Sequence, residues 1–151
     1  MKESIMPVRS AQTSWKGTLE EGSGTVALTS SQLGTYDVSF PRRSADDAEG
    51  VTSPEELIAA AHSTCFAMQF SALLGAAGAT GISLDVAADV SLGPDPAGGF
   101  RIPSIALRVR GEASGIDSDQ FRSIADEAKA TCPVSKALAG PEITLEITYG
   151  V

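Results

Sequence analysis

The 151-residue chain is 42% hydrophobic and 20% charged, with a formal net charge of −8, the balance of a globular domain rather than a disordered one. A single domain over residues 1–151 can bury a core without metal or disulfide staples, and the acidic balance excludes binding along a phosphate backbone, so no nucleic-acid partner is expected. No apolar run is expected to reach the roughly 20 residues of a membrane span, and "MKESIMPVRSAQTSW" lacks the apolar stretch of a secretory signal. A cytoplasmic setting without membrane association is the expectation.

In chain order, "TSWKGTLEEGSGTVALTS" reads as two short strands around the turn Glu21-Gly22-Ser23-Gly24, a hairpin pattern. A third run, "TYDVSF", ends at Pro41, and "PRRSADDAEGV" reads as an exposed loop. The next segment, "TSPEELIAAAHSTCFAMQFSALLGAAG", has the marks of a long helix. Ser53 stands as N-cap, Pro54 at the first helical position, and Glu56 completes a capping box. Ile58, Ala61, Cys65, Met68 and Ala72 recur at spacings of three and four, which predicts the inner stripe. The small residues on it suit close packing by a partner helix.

Two alternating strands follow, "GISLDVAADVSL" and "FRIPSIALRVRGEA", joined by "GPDPAGG". A second helix, "DSDQFRSIADEAKA", opens with acids and closes with Lys129, as the helix dipole favours. It stops before Cys132-Pro133, because the residue preceding proline avoids helical angles. A short helix, "VSKALA", and a last strand, "EITLEITY", complete the chain. The order predicts an α+β fold, helices packed on antiparallel sheet.

The chemistry concentrates on two cysteines and one histidine. In a reducing compartment a cysteine pair is more often transient or catalytic than a staple, while a buried unpaired cysteine is also an ordinary small core residue. Cys132 stands at the entrance of a short helix, where unpaired N–H groups favour a thiolate. His62 is one turn from Cys65, so its readings are a base in a Cys–His pair or a hydrogen-bonding core residue. The spacing of these three lacks the signature of a zinc site. Arg42 and Arg43 read as surface charge or as a guanidinium holding an anionic sulfur or carboxylate. With Glu56 assigned to the cap, Glu55 is the candidate partner for an arginine. Phe66, Met68 and Phe70 read as walls of an alkyl pocket or as core, core being expected for at least two of them.

"TSPEELIAAAHSTCFAMQFSALL", followed much later by "TCPVSKAL", closely resembles the OsmC/Ohr family, as do "WKGTLEEGSGTV", "YDVSFPRR", "ADVSL" and "EITLEIT". The histidine in "AAHSTC" resembles the OsmC branch, since the Ohr branch tends to carry a tyrosine there. The resemblance implies a thiol peroxidase with no cofactor and no metal, acting on organic hydroperoxides and on hydrogen peroxide. It implies Cys65 as peroxidatic cysteine, oxidised to a sulfenic acid, and Cys132 as resolving cysteine, which closes a disulfide. A dithiol reductant, lipoyl groups among them, would reopen it. Glu55 matches the family glutamate, and an upstream arginine, Arg43 in preference to Arg42, would pair with it and stabilise the Cys65 thiolate. The family's intertwined homodimer is implied as well. On one straight helix Glu55 and Cys65 lie about 15 Å apart along the axis and roughly 80° apart around it, so joining them calls for a helix break, a long arginine reach or a second chain. A non-catalytic redox sensor or ligand-binding module on the same scaffold is the alternative function.

Overall fold

The computed structural model describes residues 6–150, and the chain divides into two compact units, Met1–Pro54 and Glu55–Val151. In the first, β1 (Gln12–Lys16), β2 (Ser23–Ala27) and β3 (Thr35–Val38) form an antiparallel sheet in the order β1-β2-β3. The expected hairpin is there, with Gln12 paired with Ala27, but its turn spans residues 17–22 rather than Glu21–Gly24, because Ser23 and Gly24 already pair with Lys16 and Trp15. Gly17 takes a φ of 99° at the turn, and a Cβ there would meet the backbone of Gly22, so glycine is required. The loop after β3 is not wholly irregular. Phe40–Arg43 form a one-turn helix, α1, with the Ser39 side chain accepting from the Arg42 N–H and Pro41 early in the turn. That serine cap followed by proline is itself a helix-start pattern.

The second unit opens one residue into α2 (Pro54–Ala76), a helix of 23 residues with proline at the first position as expected. Its inner face is not the predicted stripe. Glu55, His62, Phe66, Phe70 and Leu74 are buried, whereas Ala61, Met68 and Ala72 are exposed. The helix is apolar nearly all round, so periodicity alone does not choose a face. Large side chains at spacings of four remove more apolar area from water than small ones do, and they take the sheet side.

That sheet has the order β4-β7-β8, with β4 (Thr80–Val90), β7 (Ser104–Ser114) and β8 (Glu142–Tyr149). A two-stranded ribbon, β5 (Gly93–Pro94) with β6 (Phe100–Arg101), carries the turn between the first two. β4 and β7 are antiparallel, but β7 and β8 are parallel. The expectation of a wholly antiparallel sheet is thereby corrected. Parallel neighbours require a crossover, and α3 (Ser118–Thr131) with α4 (Pro133–Ala137) supplies it.

Ile105, Leu107 and Val109 stand beside Ile143, Leu145 and Ile147 in register. Leu107, Val109 and the three β8 residues belong to one core with Phe66, Phe70, Leu74, Phe121, Ala125, Ala128 and Cys132. Phe70, Phe121 and Tyr149 meet edge to face, with centroids 4.8 and 4.9 Å apart. α3 starts with a capping box between Asp117 and Gln120. Its Arg122 and Lys129 donate to the carbonyls of Ile147 and Ile143, each at 3.0 Å, covering the outer edge of β8.

α2 also corrects the expectation about membrane-spanning length. With a mean hydropathy of 1.4 it is long and apolar enough to cross a bilayer by length and composition. Its phenylalanines instead pack on the chain's own sheet, and it carries the buried polar residues Glu55 and His62.

Candidate active site

α3 ends where Pro133 follows, and this places Cys132, the residue between α3 and α4, against the middle of α2. Cys65 Sγ and Cys132 Sγ are 3.1 Å apart, both as free thiols. Cys132 is fully buried, while Cys65 is partly exposed at the border of the buried face.

Two further contacts flank the sulfurs along the same helix pair. One turn before Cys65, His62 Nε2 lies 2.7 Å from Ser135 Oγ. One turn after it, Gln69 Nε2 donates to Thr131 Oγ1 at 2.9 Å. Thr131 in turn donates to the Glu127 carbonyl, so its hydroxyl is used as donor and acceptor. The three contacts are rungs of one ladder between α2 and the α3–α4 junction. Sequence reading placed His62 beside Cys65 but missed its partner, because Ser135 is 73 residues away. It missed Gln69 and Thr131 for the same reason.

The two sulfurs differ in their surroundings. Burial pushes the Cys65 thiol up, and its hydrogen bond and charge interaction with Cys132 push it further, against a smaller lowering by the Val134 N–H. Burial also raises Cys132. There the Ser135 N–H, Cys65, the Ser135 hydroxyl and the Val134 N–H outweigh it, and the net direction is down. Within this unit, then, negative charge is better accommodated on Cys132 than on Cys65.

Glu55 is buried in the first turn of α2. The helix runs unbroken from there past Cys65, so the rise of about 15 Å between them holds, and a helix break is excluded as the means of bringing them together. Arg42 is engaged within its own loop, its Nη1 3.0 Å from Glu49 Oε2 and 3.1 Å from the Asp47 carbonyl. Arg43 is the last residue of α1. Phe66 and Phe70 are core, and Met68, 69% exposed, is not. Met68 lines an open groove of about 530 Å³ with Ala67, Ser71, Ala72, Ile82 and Leu84. Among the described residues no cluster of three or more His, Cys, Asp or Glu is arranged to hold a metal ion.

A free thiol pair in near contact at the junction of two helices, on this α+β frame, defines a dithiol redox protein. The chain belongs to the OsmC/Ohr family: residues 46–148 match the model of the OsmC-like proteins. It is 44% identical over 138 residues to peroxiredoxin OsmC of Escherichia coli K12, covering 91% of this chain and 94% of that one, which places it in the OsmC branch. Its fold is that of an organic hydroperoxide resistance protein from Elizabethkingia anophelis (TM-score 0.72, 21% identity, 99% of this chain and 100% of that one). An OsmC-like protein of unknown function from Vibrio cholerae is equally similar (TM-score 0.73, 21% identity, 95% and 100%).

Proposed function

We infer that this protein is a thiol peroxidase that reduces organic hydroperoxides, and hydrogen peroxide less readily, through Cys65 and Cys132. The observation that carries the reading is the 3.1 Å separation of a partly exposed and a fully buried sulfur, in a chain so close to a named peroxiredoxin.

Cys65 is the more accessible sulfur and takes the peroxide. Its thiolate attacks the terminal peroxide oxygen, the O–O bond breaks, and the alkoxide leaves as alcohol with the proton the thiol gave up. The sulfenic acid on Cys65 is then attacked by Cys132, closing an intramolecular disulfide and releasing water. A dithiol reductant, dihydrolipoyl groups being the favoured class, reopens the bridge by thiol–disulfide exchange.

Since burial and Cys132 both disfavour a Cys65 thiolate, the first step calls for a cation. Arg43 is assigned that role, with Glu55 orienting it. The working unit is a homodimer. Supporting it are the exposure of Ala61, Met68 and Ala72 along α2 and of all five residues of β1, Trp15 among them. Small residues beside an exposed methionine suit a second apolar helix. Such a protein operates in the cytoplasm, where dithiol reductants are available and no membrane contact is needed.

Steady-state assays with cumene hydroperoxide, hydrogen peroxide and dihydrolipoamide test the reading. Many turnovers per chain, faster with the organic peroxide, are expected. A single oxidation that the dithiol does not reverse would instead identify a redox sensor.

A further inference from the structure

Before any oxidation, the two thiols of the site form a chelating pair. Cys65 Sγ and Cys132 Sγ are free and 3.1 Å apart, and both backbones are held. Cys65 lies in the middle of the unbroken helix α2. The Cys132 N–H donates to the Ala128 carbonyl at 2.8 Å, and the Cys132 carbonyl accepts from the Lys136 N–H at 3.0 Å. The rungs on either side, His62 to Ser135 at 2.7 Å and Gln69 to Thr131 at 2.9 Å, resist parting of the two sulfurs.

Sulfurs at a set spacing select what they bind by the angle between the two bonds. Thiolates are soft ligands and favour soft centres. With bonds of about 2.3 Å, the usual zinc–thiolate length, two sulfurs stand about 3.3 Å apart on a pyramidal centre whose bonds meet near a right angle. On a tetrahedral centre they stand about 3.8 Å apart, and on a linear one about 4.6 Å. From 3.1 Å, the first asks for ~0.2 Å of parting, and the others for ~0.7 and ~1.5 Å. Zinc also takes more ligands than two, and among the described residues no cluster of three or more His, Cys, Asp or Glu supplies them. Trivalent arsenic is pyramidal and brings its third substituent with it, so two protein sulfurs complete its coordination.

We propose that the reduced Cys65–Cys132 pair is a binding site for trivalent arsenicals, one arsenic bridging both sulfurs, and that an occupied pair does not react with peroxide. The inference uses the same sulfurs as the peroxidase reading but does not rest on that activity.

The reaction with an arsenoxide, R–As=O, balances without oxidant or reductant. Each thiol gives up its proton and forms one As–S bond. The As=O bond breaks, and its oxygen leaves with both protons as water. Arsenic stays trivalent, and neither sulfur is oxidised. Cys65 is the partly exposed sulfur and Cys132 the buried one, so arsenic attaches to Cys65 first. The second bond is then intramolecular, and a linked second contact strengthens binding about 10²–10⁴-fold over one alone. A Cys65 sulfur bonded to arsenic is no longer a thiolate, and a disulfide offers no thiol, so binding and oxidation exclude each other.

The probe is phenylarsine oxide, added to protein reduced with a phosphine, because a dithiol reductant would compete for the arsenic. Intact-mass measurement after desalting should show one phenylarsenic group per chain, and X-ray absorption at the arsenic edge should find two sulfurs bound to it. Protein already carrying the Cys65–Cys132 disulfide should take up none. Cys65→Ser and Cys132→Ser should each bind at least about 100-fold more weakly and lose the group on desalting. A group retained by Cys132→Ser, two groups on one parent chain, or a single sulfur at arsenic overturns the bridging site. Should either variant fail to fold, the absorption measurement on the parent decides. Loaded protein that still consumes an equivalent of cumene hydroperoxide overturns the exclusion. A parent that binds arsenic through both sulfurs but turns over no peroxide keeps the site and loses the peroxidase reading, and the reverse result keeps the reading and loses the site.

Discussion

Cys65 Sγ and Cys132 Sγ lie 3.1 Å apart although 67 residues of chain separate them. Their approach is set by the rungs on either side, His62 to Ser135 and Gln69 to Thr131. A disulfide bond is about 2.05 Å long, so closing it takes about 1 Å of sulfur movement. One equivalent of hydroperoxide should therefore yield an intramolecular Cys65–Cys132 bridge, seen by peptide mapping under non-reducing conditions. Bridges found only between chains would defeat this expectation.

Gln69→Ala removes one rung while leaving both sulfurs. Small misplacements of reacting groups cost rate steeply, and disulfide closure should slow about tenfold, with little change in thermal stability. The rate is read as loss of a sulfenic acid probe signal after rapid mixing.

The two faces of α2 should respond differently to substitution. Phe70 is fully buried among Phe66 and Phe121, so Phe70→Ala should cost about 3–5 kcal/mol in urea unfolding. Met68→Glu charges the exposed face. It should shift the sedimentation coefficient from dimer toward monomer while retaining secondary structure. A Met68→Glu protein that stays dimeric would remove α2 from the interface.

Several of these residues were legible in sequence and several were not, for physical reasons. Proline at a helix start, hairpin turns and the stop before Cys132-Pro133 are local signals, and each element they predicted is present. The inward face of α2 was misread because apolar residues surround the helix, and bulk rather than periodicity selected Phe66 and Phe70. The parallel placement of β8 depends on the path of α3 and α4, which no local pattern encodes. Cys65 and Cys132 stood out by chemistry and by motif. Ser135, Gln69 and Thr131 are common polar residues whose role arises only from what the fold sets opposite them.

His62 is the single histidine in the chain, and its pKa is lowered by burial from an ordinary value of 6.5. The unfolded chain thus binds a proton that the folded chain refuses. Stability from this group is fully present above the unfolded pKa and is lost as pH falls from about 6.5 toward the lowered folded value, with a slope of up to about 1.4 kcal/mol per pH unit. Urea unfolding between pH 8 and 5 should show this decline, and His62→Gln should flatten it.

Arg43 and Glu55 should weigh unequally. Arg43→Ala should slow Cys65 oxidation strongly, and Glu55→Ala less, because arginine then keeps its charge and loses only its orientation. Mixing an Arg43→Ala chain with a Cys65→Ser chain asks which subunit supplies the cation. If it comes from the partner, heterodimers carry one intact site and activity returns. No recovery, with subunit exchange verified, would mean that arginine serves the cysteine of its own chain.

The division of labour between the sulfurs is the centre of this account, and single-turnover stopped-flow with cumene hydroperoxide tests it most directly. Cys65→Ser should show no fast reaction, because the attacking sulfur is gone. Cys132→Ser should consume about one equivalent at close to the parent rate, then stall as sulfenic acid or pass to sulfinic acid in excess peroxide. A fast first turnover in Cys65→Ser and none in Cys132→Ser would contradict the account and reverse the two roles.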